Sequence, residues 1–294
     1  MATIKTYATA GAFRVALEER LKQRSQTDQI DINRLRRQLS FDRLLARLFN
    51  GDSAPWALKG GYALELRFKS ARSTVDIDLA LQRAVSASIG SAEANQTVRE
   101  ILQAAAAIPL GDWFEYIIGP AMLDITAAPY GGARYPVEAH MGGRIFAKFH
   151  IDVGIGDVVI RPLETATTND WLTFAGIEPS PVQMIAREQQ FAEKIHAYTL
   201  PRNAPNSRVK DLVDLALLIE EGHLDLEKCA NALRLTFERR ATHPLPTALD
   251  APSPDWNAPF EALAKGCGLQ PDLAVTFESI QAFYGTTILP QRMA

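Results

Sequence analysis

Apolar residues recur at helical spacing at the start of the chain and alternate with polar ones through its middle. Within residues 10–24, Phe13, Leu17 and Leu21 fall at i, i+4 and i+8 with charges on the opposite face, which predicts an amphipathic helix. Asp31 stands where an N-cap is expected for a second helix through Leu48, with Leu35, Leu39, Leu44, Leu45 and Leu48 as its apolar face. The segment NGDSAP at 50–55 breaks it. From Trp56 the texture changes to a strand WALK, the pair Gly60–Gly61, a short helix YALELRF and a strand STVDIDLAL. An alanine-rich helix is expected at about 91–108, followed by strands at 113–119, 135–143 and 144–159. Val137, Ala139 and Met141 alternate there against Glu138 and His140. Helical periodicity returns at 182–199, 207–221, 225–240, 257–268 and 271–286, with proline-rich joints at 200–206 and 243–254. The pattern predicts an α+β fold in two domains. Residues 1–180 form the first, N-terminal helices plus core, and 181–294 a helical second one.

Composition narrows the function classes. The 294 residues are 47% hydrophobic and 22% charged, in the ordinary globular range. No apolar run reaches the roughly 18 residues of a membrane-spanning helix. Charges near the start occupy positions where a secretory leader needs apolar residues, so a cytoplasmic protein without membrane contact is expected. Two cysteines, Cys229 and Cys267, exclude a disulfide framework and a cysteine-based zinc site. Residues 1–50 carry ten basic and five acidic residues, whereas 51–180 carry ten and fifteen. Such a distribution suits an enzyme that gathers cations centrally and holds a polyanion at one edge. It equally suits solvated helix faces.

The stretch from Leu58 to Leu81 carries the chemistry. Gly60–Gly61 joins a strand to a helix, where backbone N–H groups can approach a phosphate. Asp76 and Asp78 flank Ile77 on an aliphatic strand, so both carboxylates point to one face. Two like charges so close raise each other's cost of ionisation, unless a divalent cation lies between them. Oxygen donors of this kind suit Mg²⁺, or Mn²⁺. Asp152 lies in FHIDVGIG on a second apolar strand, sharing a face with His150. Two aspartates on one strand and a third on another form an arrangement that can hold metal for phosphoryl or nucleotidyl transfer. Thr74 shares the face of Asp76, and Arg67 and Arg72 could neutralise a triphosphate.

Taken in order, these residues carry a resemblance. The motifs are Lys59-Gly60-Gly61-x-Ala63-Leu64, Arg67, Arg72-x-Thr74-x-Asp76-Ile77-Asp78-Leu79, Ala192-Glu193-Lys194-x-x-Ala197 and Arg208-x-Lys210-Asp211-x-x-Asp214-Leu215. The chain resembles the AbiEii/AbiGii toxin family of nucleotidyltransferases, in the DNA polymerase β-like superfamily, which includes the MenT toxins. The resemblance implies a nucleotidyltransferase core with a mixed β-sheet, flanked by N-terminal helices and a C-terminal helical region. It implies metal on Asp76, Asp78 and Asp152, with Lys194 and Asp211 completing the catalytic set. Nucleotide would be held by Lys59, Gly60, Gly61, Arg72, Thr74, Lys194 and Lys210.

The expected reaction is Mg²⁺-dependent transfer of NMP from NTP to an acceptor hydroxyl. The resemblance makes the tRNA 3′ end the acceptor, blocking translation, and places the chain in a toxin–antitoxin or abortive-infection system with a cognate antitoxin. Residues 1–50 and the helices after 182 would grip RNA phosphates. Two rivals stand beside this reading: NMP transfer to a protein hydroxyl (AMPylation), and a non-catalytic nucleotide- or partner-binding role.

Overall fold

The computed structural model describes residues 6–51, 54–82, 91–124, 129, 131–202 and 208–292. The joints read from sequence at 50–55 and 200–206 lie partly outside these. The elements are α1 (Ala10–Asp28), α2 (Ile32–Leu48), β1 (Trp56–Lys59), α3 (Gly60–Arg67), β2 (Asp76–Leu81), α4 (Ala92–Ala106), β3 (Phe114–Ile118), β4 (Leu123–Asp124), β5 (Gly132–Met141) and β6 (Arg144–Ile155). They continue with β7 (Glu164–Thr167), β8 (Pro181–Met184), α5 (Arg187–Thr199), α6 (Val209–Glu221), α7 (Leu226–Arg240), α8 (Asn257–Gly266) and α9 (Leu273–Arg292). The class is α+β with a mixed sheet. Among the described residues no helix is long and apolar enough to cross a membrane.

The chain divides into two compact units. The first comprises residues 1–58, 73–156 and 165–184, and the second 59–72, 157–164 and 185–294. In the first, the strand order is β3-β5-β6-β2-β1-β8-β7, with β4 paired to β5. β2 and β6 are parallel, as are β1 and β8, while β3, β4 and β6 all pair antiparallel to β5. Asp31 caps α2 as the pattern predicts, accepting the Arg34 N–H at 2.9 Å. On β5, Val137, Ala139 and Met141 are buried and Glu138 and His140 are not, matching the period-two reading.

Two sequence expectations need correction. The helix expected at 182–199 begins only at Arg187; Pro181–Met184 is β8, with Val182 and Met184 buried and Pro181 and Gln183 exposed. Burial at every second residue selects a strand over a helix there. The strand expected at 144–159 stops at Ile155, because Gly156 takes a φ of 87°, in the left-handed region.

The basic start is drawn into the first unit. Arg43 and Arg47, one turn apart on α2, are buried and both bond Asp112, which has no exposed surface. Arg14 donates to the carbonyls of Met141, Arg144 and Ile145 around the β5–β6 turn. Arg36 pairs with Glu18 at 2.7 Å, and Arg37 donates to the Thr74 carbonyl. Arg20 and Arg24 lie over the rings of Phe174 and Trp171. Five arginines of this segment thus serve the fold through bonds or ion pairs, and Arg20 and Arg24 add ring contacts to their bonds with Ala16 and Asp28.

The second unit is built on one apolar cluster. Leu64 and Phe68 of the α3 region, Phe191 and Ile195 of α5, Leu212 and Leu215 of α6, Leu233 and Phe237 of α7, Phe260 of α8 and Ile280 of α9 are among its members. Each fully buried side chain of this size contributes about 1.5–3 kcal/mol relative to exposure. This packing fixes the faces that α5 and α6 turn toward each other.

Candidate functional site

In the first unit the site grows from strand register. Asp76 lies opposite His150, Ile77 opposite Ile151 and Asp78 opposite Asp152 on the parallel pair β2–β6. Ile77, Leu79, Ile151 and Val153 are buried, so the alternating aspartates and His150 occupy the other face. β5 adds Arg134, in register with Asp152. A row Arg134–Asp152–Asp78 therefore crosses three strands, with His150 and Asp76 one pleat earlier. The guanidinium forks onto Asp152, with both bonds at 2.7 Å, and reaches Asp76 Oδ2 at 3.1 Å. The His150 Nδ1 is 3.2 Å from Asp76 Oδ1. The bond that Arg134 donates to Asp152, ahead of the surrounding aspartate charges, holds the Arg134 pKa above its ordinary value. The Thr74 hydroxyl is 3.5 Å from the Asp76 carbonyl, a long contact that ties it to the strand start.

Asp76, Asp78 and Asp152 are hard oxygen donors on adjacent register positions, the chemistry a divalent cation of the Mg²⁺ type selects. Among the described residues no three acidic or imidazole groups converge as a ready-made ligand set. Arg134 lies between two of the carboxylates instead. The residue types fit a divalent cation, and their charge is already partly balanced from within.

The other sequence-derived residues lie in the second unit, where Lys59, Arg72, Lys194 and Asp211 belong to two largely buried ion networks. Lys194 donates to Asp211 at 2.8 Å and to Asp214 at 2.5 Å, and Arg72 forks onto the same Asp214 at 2.8 and 2.7 Å. Burial by itself would raise the Asp214 pKa, but Lys194 and Arg72 outweigh it and hold the carboxyl below its usual range. Burial would likewise lower the Lys194 pKa; Asp211 and Asp214 reverse the sign and keep the ammonium charged. One oxygen of Asp211, Oδ2, is buried without a hydrogen bond, with Arg208 3.5 Å away. Lys210 is exposed.

Lys59 belongs to the second network. Its ammonium lies 2.5 Å from Asp157 and 3.3 Å from Glu193, while Arg240 forks onto Asp157 at 3.1 and 2.9 Å. Gly60 and Gly61 open α3, and Gly60 has a φ of 66°, a conformation glycine adopts without strain. No side chain caps this helix start, and the Gly60 carbonyl accepts a bond from Gln190 at 2.6 Å. Arg67 is fixed away from solvent by Glu164, Gln190 and the Ile185 carbonyl.

Sequence reading gave no role to Arg134, Asp157 or Arg240. For Arg134 a signal exists: it is the one cation at an alternate position of β5, on the face opposite the buried Ala133 and Tyr135. For Asp157 and Arg240 there is none, because their pairing joins residues 83 apart.

His196 extends this network with a measurable consequence. Arg240 Nη1 points at His196 Nδ1 at 3.3 Å, and Nε2 meets the Thr242 hydroxyl at 2.9 Å. A guanidinium can only donate, so Nδ1 must keep its lone pair and the ring stays neutral. Burial, then the charges of Arg240 and His243, push its pKa down from 6.5 to about 3, against a smaller opposing effect of Asp157. His243 shifts in the same direction through burial. The unfolded chain takes up a proton below about pH 6.5, which the folded one refuses until about pH 3. The stabilisation is complete above that window and is lost progressively as pH falls through it. The melting temperature is therefore expected to drop between about pH 7 and pH 5, and less so in His196→Gln. Parallel slopes in calorimetry would show that His196 is not the sensitive group.

Comparison with known families gives a match over residues 43–284 to the one described as nucleotidyl transferase AbiEii toxin, type IV TA system. Among solved structures, JHP933 from Helicobacter pylori shares 14% identity over 88% of this chain and 94% of its own, with a TM-score of 0.47. An H. pylori protein described as a candidate nucleotidyltransferase shares 16% over 88% and 95%, with a TM-score of 0.38. No curated protein matches the chain. The family match takes in well over half of the chain and every motif quoted above, so this protein belongs to the AbiEii family of nucleotidyltransferase toxins of type IV toxin–antitoxin systems.

Proposed function

We propose that the chain transfers a nucleoside monophosphate from NTP to an acceptor hydroxyl, with the tRNA 3′ end as acceptor and pyrophosphate as leaving group. The observation that carries this reading is the register of Asp76, Asp78 and Asp152 on one polar face of β2 and β6. These three would hold Mg²⁺, which when bound supplies charge neutralisation at the reacting phosphate and lowers the pKa of an attacking hydroxyl. Asp152, at the middle of the polar row, is assigned to help orient the nucleophile. Asp76 is fixed by His150 and Arg134, which restricts the direction of its lone pairs.

The residues assigned to phosphate binding are Thr74, Lys194, Gly60 and Gly61, with Lys59, Arg72 and Lys210. Two of the three N–H donors of Lys194 are held by Asp211 and Asp214, and the third is the one this reading gives to the triphosphate. The uncapped N–H groups after Gly60–Gly61 suit an anionic oxygen. Lys59, Arg72 and Lys210 add positive charge, and Asp211 orients Lys194. The family implies a cognate antitoxin as partner.

One observation favours a second reading, a protein hydroxyl as acceptor. Arg14, Arg36, Arg43 and Arg47 are engaged within the fold, and a protein acceptor needs no basic groove. Labelling with each α-³²P NTP, Mg²⁺, total tRNA and cell protein separates the two, with Asp76→Ala as control. Label is expected in tRNA with intact Asp76 alone. Label confined to protein moves the assignment to the second reading, and label in neither, with NTP still bound, overturns both.

A further inference from the structure

Arg134 differs from the structural arginines of this chain. Arg47 is buried to 2% exposure and bonds backbone carbonyls of Arg43 and Phe114 besides Asp112. The Arg134 side chain keeps 32% exposure, and among the described residues its side-chain hydrogen bonds go to Asp152 and Asp76. Its anchors among the described residues are the carboxylates that the proposed reaction assigns to metal. Both oxygens of Asp152 accept from its planar fork, the geometry in which a guanidinium binds a carboxylate most firmly.

Charge sets the consequence. Three carboxylates and one guanidinium leave this face at −2, and a divalent cation would bring it to zero. Set among the same oxygens, that cation and the guanidinium would repel each other at short range. Nothing on β5 pins Arg134 against moving, because its bonds are to side chains and its outer part meets solvent. Resting on the reading of this face as a metal site, we propose that Arg134 is its resident counter-ion. It holds Asp152 and Asp76 in one orientation until a divalent cation arrives, then yields Asp152 to the cation. The released guanidinium lies beside the site, where its fork suits an anionic oxygen of the triphosphate.

The two steps move affinities in opposite directions, which a purely structural role would not do. Mn²⁺ serves as the probe, with free ion counted by electron paramagnetic resonance on the full chain without nucleotide. Arg134→Gln is expected to bind Mn²⁺ about tenfold more tightly than wild type, about 1.4 kcal/mol. With Mn²⁺ saturating, the same variant is expected to bind a non-hydrolysable NTP about tenfold more weakly. Arg134→Lys keeps the charge but loses the fork, and should shift both affinities in the same directions by less; it serves if the glutamine variant does not fold. Equal or weaker Mn²⁺ binding by both variants, with Asp78→Asn losing it, overturns the counter-ion role and leaves the metal site standing. Absence of Mn²⁺ binding in wild type and Arg134→Gln alike overturns the metal reading itself.

Discussion

Asp78→Asn should lower nucleotidyl transfer by about 10³-fold, roughly 4 kcal/mol in the barrier, while leaving the fold intact. Asp78 lies beside Asp152 in the β2–β6 register and two residues from Asp76, so it is the carboxylate that joins the two strands' contributions. Asparagine keeps the volume and one oxygen but removes the charge that a hard cation selects. The strand itself should not suffer. Ile77 and Leu79 carry its buried face, and removing one of three neighbouring negative charges relieves repulsion. The expected result is a wild-type far-UV spectrum, an unchanged or slightly higher melting temperature and a loss confined to turnover. Activity within tenfold of wild type would remove Asp78 from the metal set. A parallel loss of fold would mean that the substitution measured stability instead.

That face was legible before any coordinates because it depends on local periodicity. Asp76 and Asp78 around Ile77, and His150 and Asp152 around Ile151, declare their face through alternation alone. Alternation also declares the face of Arg134, but not its partner Asp152, because that pairing is set by the β5–β6 register. That register is fixed by the turn at Gly142–Gly143 and an irregularity at Ala139/His140. A slip of one residue would send Arg134 to the opposite face. The helices after 185 were legible in type, since each carries its own apolar stripe. β7 and β8 were not: four residues each are too short for periodicity to decide, and β8 lies only two residues before a helix. Among charges the distinction is sharper still. Arg43 and Arg47 look like the solvated side of α2, and only Asp112, 65 residues beyond Arg47, makes them interior.

Asp112→Ala should therefore destabilise the protein by about 3–5 kcal/mol, the scale of breaking a buried ion pair from one side. Asp112 accepts from Arg43 at 2.6 Å and from Arg47 at 2.8 and 2.6 Å, and it also caps the Phe114 N–H at 3.1 Å where β3 begins. Burial would raise its pKa, yet Arg47 and then Arg43 pull it below the ordinary carboxylate value. Its contribution is thus present at neutral pH and lost as pH falls through the acid range. Removing the carboxylate leaves two guanidinium groups buried against α2 with no counter-charge, and that penalty dominates the lost attraction. Replacing all three together, as Arg43→Leu, Arg47→Met and Asp112→Leu, should recover most of the loss, because no orphaned charge remains. Denaturant melts of the single and triple variants distinguish the causes. If the triple variant is no more stable than Asp112→Ala, the stability lay in the hydrogen bonds to Phe114 and the α2 backbone, and not in charge balance.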